Sequence, residues 1–227
     1  MKDISLRKAA IVAGLGLLAM TILAIFANFF VLENFVVSGD AAKTVNNILA
    51  NEGIFRLGIC SLIIVAILDV LVAWALYILL KPVNKSLSLL TAWFRLAYAT
   101  ILGIALLNLF GVLQLLNGSD YLTVFEPSQL HAQAMLSLSA FNFAWTIGLV
   151  LFGIHLSILG YLIFKSGYIS KILGILVIIA GLGYLIDSFV MFLLPNCPIT
   201  IGMFTFIGEL LFMFWLLIKG RKIQEAN

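Results

Sequence analysis

Read from its first residue, the chain alternates between long apolar runs and short polar connections. Six runs stand out, at approximately 9–32, 54–80, 87–116, 136–164, 172–194 and 199–218. A bilayer core about 30 Å thick is crossed by about 20 apolar residues in helical conformation. Inside hydrocarbon every backbone amide has to be satisfied within its own segment, so the runs are expected to be helices. A β-barrel would need short alternating strands, and none is present. The pattern therefore predicts an all-α polytopic membrane protein, a bundle of six transmembrane helices in one domain over 1–227, with the lipid bilayer as its first partner.

Basic residues give the bundle a direction. Lys2, Arg7 and Lys8 precede the first run, Lys81 and Lys85 separate the second and third, Lys165 and Lys171 the fourth and fifth, and Lys219, Arg221 and Lys222 follow the sixth. The alternate connections hold Lys43 as their single basic residue, with Glu33, Asp40, Glu52, Asp120 and Glu126. By the positive-inside rule both termini are cytoplasmic, which places the chain in a cell membrane. Trp93 and Trp215 fall at the inner interface and Trp145 at the outer, as an aromatic belt would have them. The first run is too long for the apolar core of a signal peptide and no cleavage motif follows it, so it reads as a retained span.

The connections carry their own signals. Pro82 ends the second helix in a tight turn, and Gly167 suits a left-handed cap after the fourth. Asp40 is placed to cap a short helix, Ala41–Asn51, ending at Gly53 and lying in the interface. Pro127 and Ser128 suit the start of a polar helical turn containing His131, which reads as a solvated loop histidine.

Composition sharpens the membrane reading. The 227 residues are 63% hydrophobic and 10% charged, with a mean hydropathy of +1.19, against roughly 45–50% and about 25% in ordinary globular domains. The net charge of +3 is scattered at span ends rather than gathered into a basic stripe, which argues against nucleic-acid binding. Cys60 and Cys197 lack metal-ligand spacing. Both map to the outer end, where a disulfide is conceivable but two unbonded thiols are the commoner outcome.

Against that background the ionisable residues within the spans are conspicuous: Arg56, Asp69, Arg95, His155, Asp187 and Glu209. Counting about 1.5 Å per residue from the flanking basic residues puts Asp69, Arg95, His155 and Glu209 about 15–18 Å deep, near the midplane. Asp187 lies deeper from that side, in the outer half, and Arg56 at the rim, where it can snorkel. Small residues share their helical faces: Ala66 and Ala73 with Asp69, Ala92 and Ala99 with Arg95, Gly148 with His155, Gly183 with Asp187, and Gly202 with Glu209. Such faces let helices approach closely, so the charges are expected to point into the bundle. Pairing then offsets the burial of each charge, about 2.5–3.5 kcal/mol on an insertion scale.

Asp69 and Glu209 contribute −2 and Arg95 +1, which calls for a protonated carboxyl or a charged His155. Arg95 is expected to pair with Asp69 or Glu209, and His155 to bond the other carboxylate. Asp69, Arg95, His155, Asp187 and Glu209 are thus candidates for binding or carrying a proton. Tyr98, Tyr184, Ser188, Asn108 and Asn142 are secondary candidates for lining a cavity. The alternative is structural: polar contacts between spans also serve as simple interhelical glue. No cofactor is predicted. His155, Asp69 and Glu209 are the nearest approach to a metal-ligand set, suited to Fe or Mn rather than Zn, but the paired histidines of a metalloprotease motif are missing. There is also no nucleophile elbow.

Three passages, LDVLVAWALYILLKPVNKSLSLLTAWFRLAYATILG, GIHLSILGYLIFKSGYISKILGILVIIAGLGYLIDS and GELLFMFWLLIKG, carry a resemblance. Together they hold Asp69, Arg95, His155, Tyr161, Tyr168, Gly183, Asp187 and Glu209. They resemble a bacterial family of six-span membrane proteins, the domain of unknown function numbered 4386. Ser170 stands where members of that family often have Pro, a departure confined to a cytoplasmic turn. The resemblance implies the length and the span count, and implies no chemistry.

Three functions are open on the sequence. One is binding and transport of a small solute or proton at mid-membrane, with a homodimer expected because six spans are few for a transporter. Another is an intramembrane metal-dependent enzyme. The third is an assembly or regulatory protein that handles no solute.

Overall fold

A computed structural model describes residues 4–194 and 201–223. Nine α-helices are seen among them. Helix α1 (Leu6–Ile25) runs through a π-helical stretch (Phe26–Leu32) into a single turn, α2 (Glu33–Phe35). There follow α3 (Ala41–Ala50), α4 (Glu52–Leu80), α5 (Lys85–Leu115), α6 (Pro127–Lys165), α7 (Lys171–Leu193), α8 (Gly202–Thr205) and α9 (Ile207–Ile218). No strand occurs among the described residues. Five helices are long and apolar enough to cross a membrane: Leu6–Phe35, α4, α5, α6 and α7. The expected sixth span is represented by α8 and α9, which part at Phe206. Alone, α9 has 12 residues, about 18 Å of helix at about 1.5 Å per residue. Large apolar side chains face outward, among them Leu107, Ile22 and Phe204 at 66%, 60% and 73% exposure, a surface that belongs in lipid rather than water. The chain is a multi-pass membrane protein.

Several boundaries differ from the sequence reading. Asp40 caps α3, its Oδ1 accepting from Lys43 N at 2.9 Å, but the break falls at Asn51, and Gly53 lies inside α4. Pro127 opens all 39 residues of α6 rather than a separate turn: its missing N–H is one that a first helical turn leaves unpaired anyway. Gly167 has φ +74° after α6, as its left-handed role requires. Arg56 bonds Glu52 one turn away on the exposed face of α4, Nη2 to Oε1 2.7 Å.

The chain forms two compact units. The first comprises 1–19, 67–99 and 146–227. Within it, α6 and α7 pack backbone to backbone. A Cβ at Gly160 would stand 2.5 Å from Gly174 O, and one at Gly174 would stand 2.7 Å from Gly160 O. Gly153 and Gly181 make the same reciprocal contact, at 2.8 and 2.6 Å. Glycines seven residues apart on each antiparallel helix thus bring the two backbones into direct touch. On its other side α7 meets α8 and α9, through Gly183 against Thr205 and Gly208 against Leu176 O. The last carbonyls of α4 accept hydrogen bonds from side chains, Tyr77 O from Ser88 Oγ at 2.9 Å and Leu79 O from Tyr168 Oη. Helix ends leave carbonyls such as Leu79 O open and in need of partners, while Tyr77 O also accepts from Lys81 N at 2.8 Å.

The second unit comprises 20–66 and 100–145. Its core is built on Val31, Ile48, Phe55, Leu62, Leu109 and Phe141, each at most 2% exposed. Buried Thr44 ties α3 down, giving its hydroxyl to Asp40 O and accepting from Val37 N, both at 2.9 Å.

Candidate functional site

Four ionisable residues of the first unit form a connected group, supplied by α4, α5, α6 and α9. Asp69 on α4, Arg95 on α5 and His155 on α6 are buried, with 0%, 1% and 0% of their surface exposed. Arg95 Nη2 lies 2.7 Å from Asp69 Oδ1, and Nη1 lies 3.2 Å from His155 Nε2. The guanidinium also sits over the Phe152 ring, 5.4 Å from its centroid. One planar cation is thereby engaged at its edge and on its face.

The histidine's state follows from its partners. A guanidinium can only donate, so His155 Nε2 must accept. The proton then resides on Nδ1, which donates to Thr91 O at 2.9 Å. Both ring nitrogens are occupied and the imidazole is neutral. The contact between His155 and a carboxylate expected from the sequence is replaced by one to Arg95, because a turn of α5 places Thr91 O and the guanidinium on either side of the ring.

Glu209 stands in the first turn of α9. Tyr184, Arg95 and Asp69 are all near enough to act electrostatically on its carboxylate. Glu209 Oε1 is inaccessible to solvent and has no hydrogen-bond partner among the described residues, and the same is true of Asp69 Oδ2. Buried polar atoms are nearly always paired, so two open carboxylate oxygens in one group are unusual.

Asp187 has a different place. Its Oδ1 accepts from Ile201 N at 2.8 Å and its Oδ2 from Gly202 N at 2.7 Å. It therefore holds the start of α8, and through it the chain leading to Glu209. Tyr98 and Tyr184 do join the site, with ring centroids 4.8 and 5.6 Å from that of Phe152. Ser188 is buried, and its Oγ has no partner among the described residues. Asn108 and Asn142 belong to the second unit, where Asn108 bonds its own helix at Ala105 O and Asn142 is exposed.

Phe152, on the helical face of His155, is the member of the site that the sequence reading did not count as a site residue. It meets Arg95, His155, Tyr98 and Tyr184. Its position three residues before His155, on the same helical face, was the available signal.

Among the described residues no three His, Cys, Asp or Glu side chains gather in a way that would hold a metal ion, and His155 has no free nitrogen to offer one. Cys60 is exposed. Cys197, its partner in the conceivable disulfide, lies outside the described residues.

Long apolar helices carrying a buried ionisable group define the class: an all-α, multi-pass membrane protein. More particularly, the chain belongs to the family described as "Domain of unknown function (DUF4386)", which matches residues 12–220. A relative from Archaeoglobus fulgidus, described as an uncharacterized protein, is 42% identical over 168 residues, covering 74% of this chain and 86% of the relative. No solved structure matches.

Proposed function

We propose that the Asp69–Arg95–His155–Glu209 group is a binding site through which the protein carries a proton, alone or with a small solute, across the cell membrane. In this reading both termini are cytoplasmic. The observation that carries it is the pair of solvent-inaccessible carboxylate oxygens, Asp69 Oδ2 and Glu209 Oε1, that lack partners. Charge points the same way. With His155 neutral, Arg95 balances one of the two carboxylates, and a single added proton or monovalent cation neutralises the group. A site in low dielectric that is one charge from neutrality favours taking up that charge. Six spans suit a homodimer of such units.

The test is flux in proteoliposomes under an imposed pH gradient, followed with an internal pH-sensitive dye. Wild-type protein dissipates the gradient. Glu209→Gln keeps the shape of the side chain and removes its exchangeable proton, so flux falls at least about tenfold while the unfolding midpoint stays unchanged. Wild-type flux equal to that of empty liposomes would refute the reading, as would full flux in Glu209→Gln.

A further inference from the structure

The second unit carries an open pocket of about 450 Å³, with Tyr121 and Leu136 on its walls 66% and 69% exposed; its volume lies within the range of about 300–1,000 Å³ usual for small-molecule sites. Helix α5 presents Gly111, Gln114 and Leu115 to it, and α6 presents Gln133, Leu136 and Ser137. Each set has the spacing i, i+3, i+4, so each is a single helical face. Each face offers one small residue, one carboxamide and one leucine. The small residues oppose each other: a Cβ at Gly111 would make ordinary contact, 3.7 Å from Ser137 Oγ, so the two helices run close together there. Tyr121 and Leu122, in the 3-10 turn Asp120–Leu122, complete the lining.

The chemistry of these walls selects a ligand. No lining residue is charged, so an anionic or cationic ligand would meet apolar surface with no counter-charge, at a desolvation penalty. Two carboxamides, a hydroxyl and a phenol both donate and accept hydrogen bonds. No hydrogen bond among the described residues engages any of the four. Three leucines and the Tyr121 ring supply apolar surface beside them. A ligand matching this set is neutral, has adjacent groups that both donate and accept, and carries a C–H face to lay on a ring. We propose that this cavity binds a hexose unit, free or as the headgroup of a glycolipid. The inference shares no residue with the proton-carrying group and does not depend on it.

The test uses the full chain in phosphatidylcholine nanodiscs prepared without glycoside detergents. Native mass spectrometry measures binding of two probes, free maltose and monoglucosyl diacylglycerol, with glucuronate as a charged control. The wild type binds at least one glucosyl probe and binds glucuronate at least about tenfold more weakly. Binding of maltose assigns a soluble sugar, and binding of the glycolipid alone assigns a headgroup. Replacing Gln114→Leu together with Gln133→Leu weakens binding at least about tenfold. Should the double variant melt early, Tyr121→Ala carries the test, since Tyr121 is 66% exposed and its loss leaves the helices intact. No binding of either probe, glucuronate binding as tight as the sugar's, or unchanged binding in a natively folded variant would overturn the proposal.

Discussion

Asp69→Asn isolates the electrostatics of the buried group. Asparagine keeps the volume of the side chain and removes its charge. Arg95 then retains a neutral imidazole 3.2 Å away and a ring face 5.4 Å away, neither of them an anion. Because Asp69 and Arg95 are 0% and 1% exposed, water cannot screen the orphaned cation. Breaking a buried pair from one side destabilises by about 3–5 kcal/mol. The lower end is expected here, since the Glu209 carboxylate still acts on Arg95. Removing both charges, as Asp69→Leu with Arg95→Met, leaves no stranded ion and recovers most of the loss. Reversible unfolding in mixed micelles, titrated with dodecyl sulfate and read by tryptophan fluorescence, supplies the free energies. A single variant within about 0.5 kcal/mol of wild type would refute the reasoning, as would a double variant no more stable than the single one.

The contact between α6 and α7 predicts that Gly160→Ala destabilises by about 1–3 kcal/mol, because its new methyl meets a backbone carbonyl that cannot turn aside. Gly103→Ala, where nothing lies within 4 Å, is expected to be neutral or stabilising by up to about 1 kcal/mol in the same titration. Burial raises the Tyr168 phenol in the α6–α7 connection to a pKa of about 12. The folded state therefore holds that proton more tightly than the unfolded chain. This stabilisation is complete below the ordinary tyrosine pKa near 10 and is lost as pH rises towards 12. Tyr168→Phe lacks the bond to Leu79 O, is about 0.5–1.5 kcal/mol less stable at neutral pH, and shows a smaller drop in thermal midpoint between pH 10 and 12.

Much of this architecture is legible in the amino-acid pattern because lipid imposes a simple rule. Length and apolarity reveal the spans, and any charge within one must face inward. That rule singles out Asp69, Arg95, His155 and Glu209 and leaves open which of them touch. Pairing depends on helix rotation to within about one residue, and α5 carries both the guanidinium and the Thr91 carbonyl that fix His155. A sequence pattern does not resolve that choice. Asp187 looked like a member of the group because its face is lined with small residues, yet its carboxylate holds the amides of Ile201 and Gly202. Backbone groups leave no trace in composition. The break at Phe206 and the run of α6 back to Pro127 escape for a related reason: each is a local exception within an otherwise continuous hydropathy signal.

The paired glycines of α6 and α7 restrict how this protein can work. With carbonyl oxygens seated where side chains would otherwise stand, neither helix can slide a turn past the other without driving backbone into backbone. His155 and Tyr184, one on each helix, are therefore fixed relative to each other. Glu209 is held to the same pair, because its neighbour Gly208 lies against Leu176 O on α7 and Asp187 of α7 bonds the amides of Ile201 and Gly202.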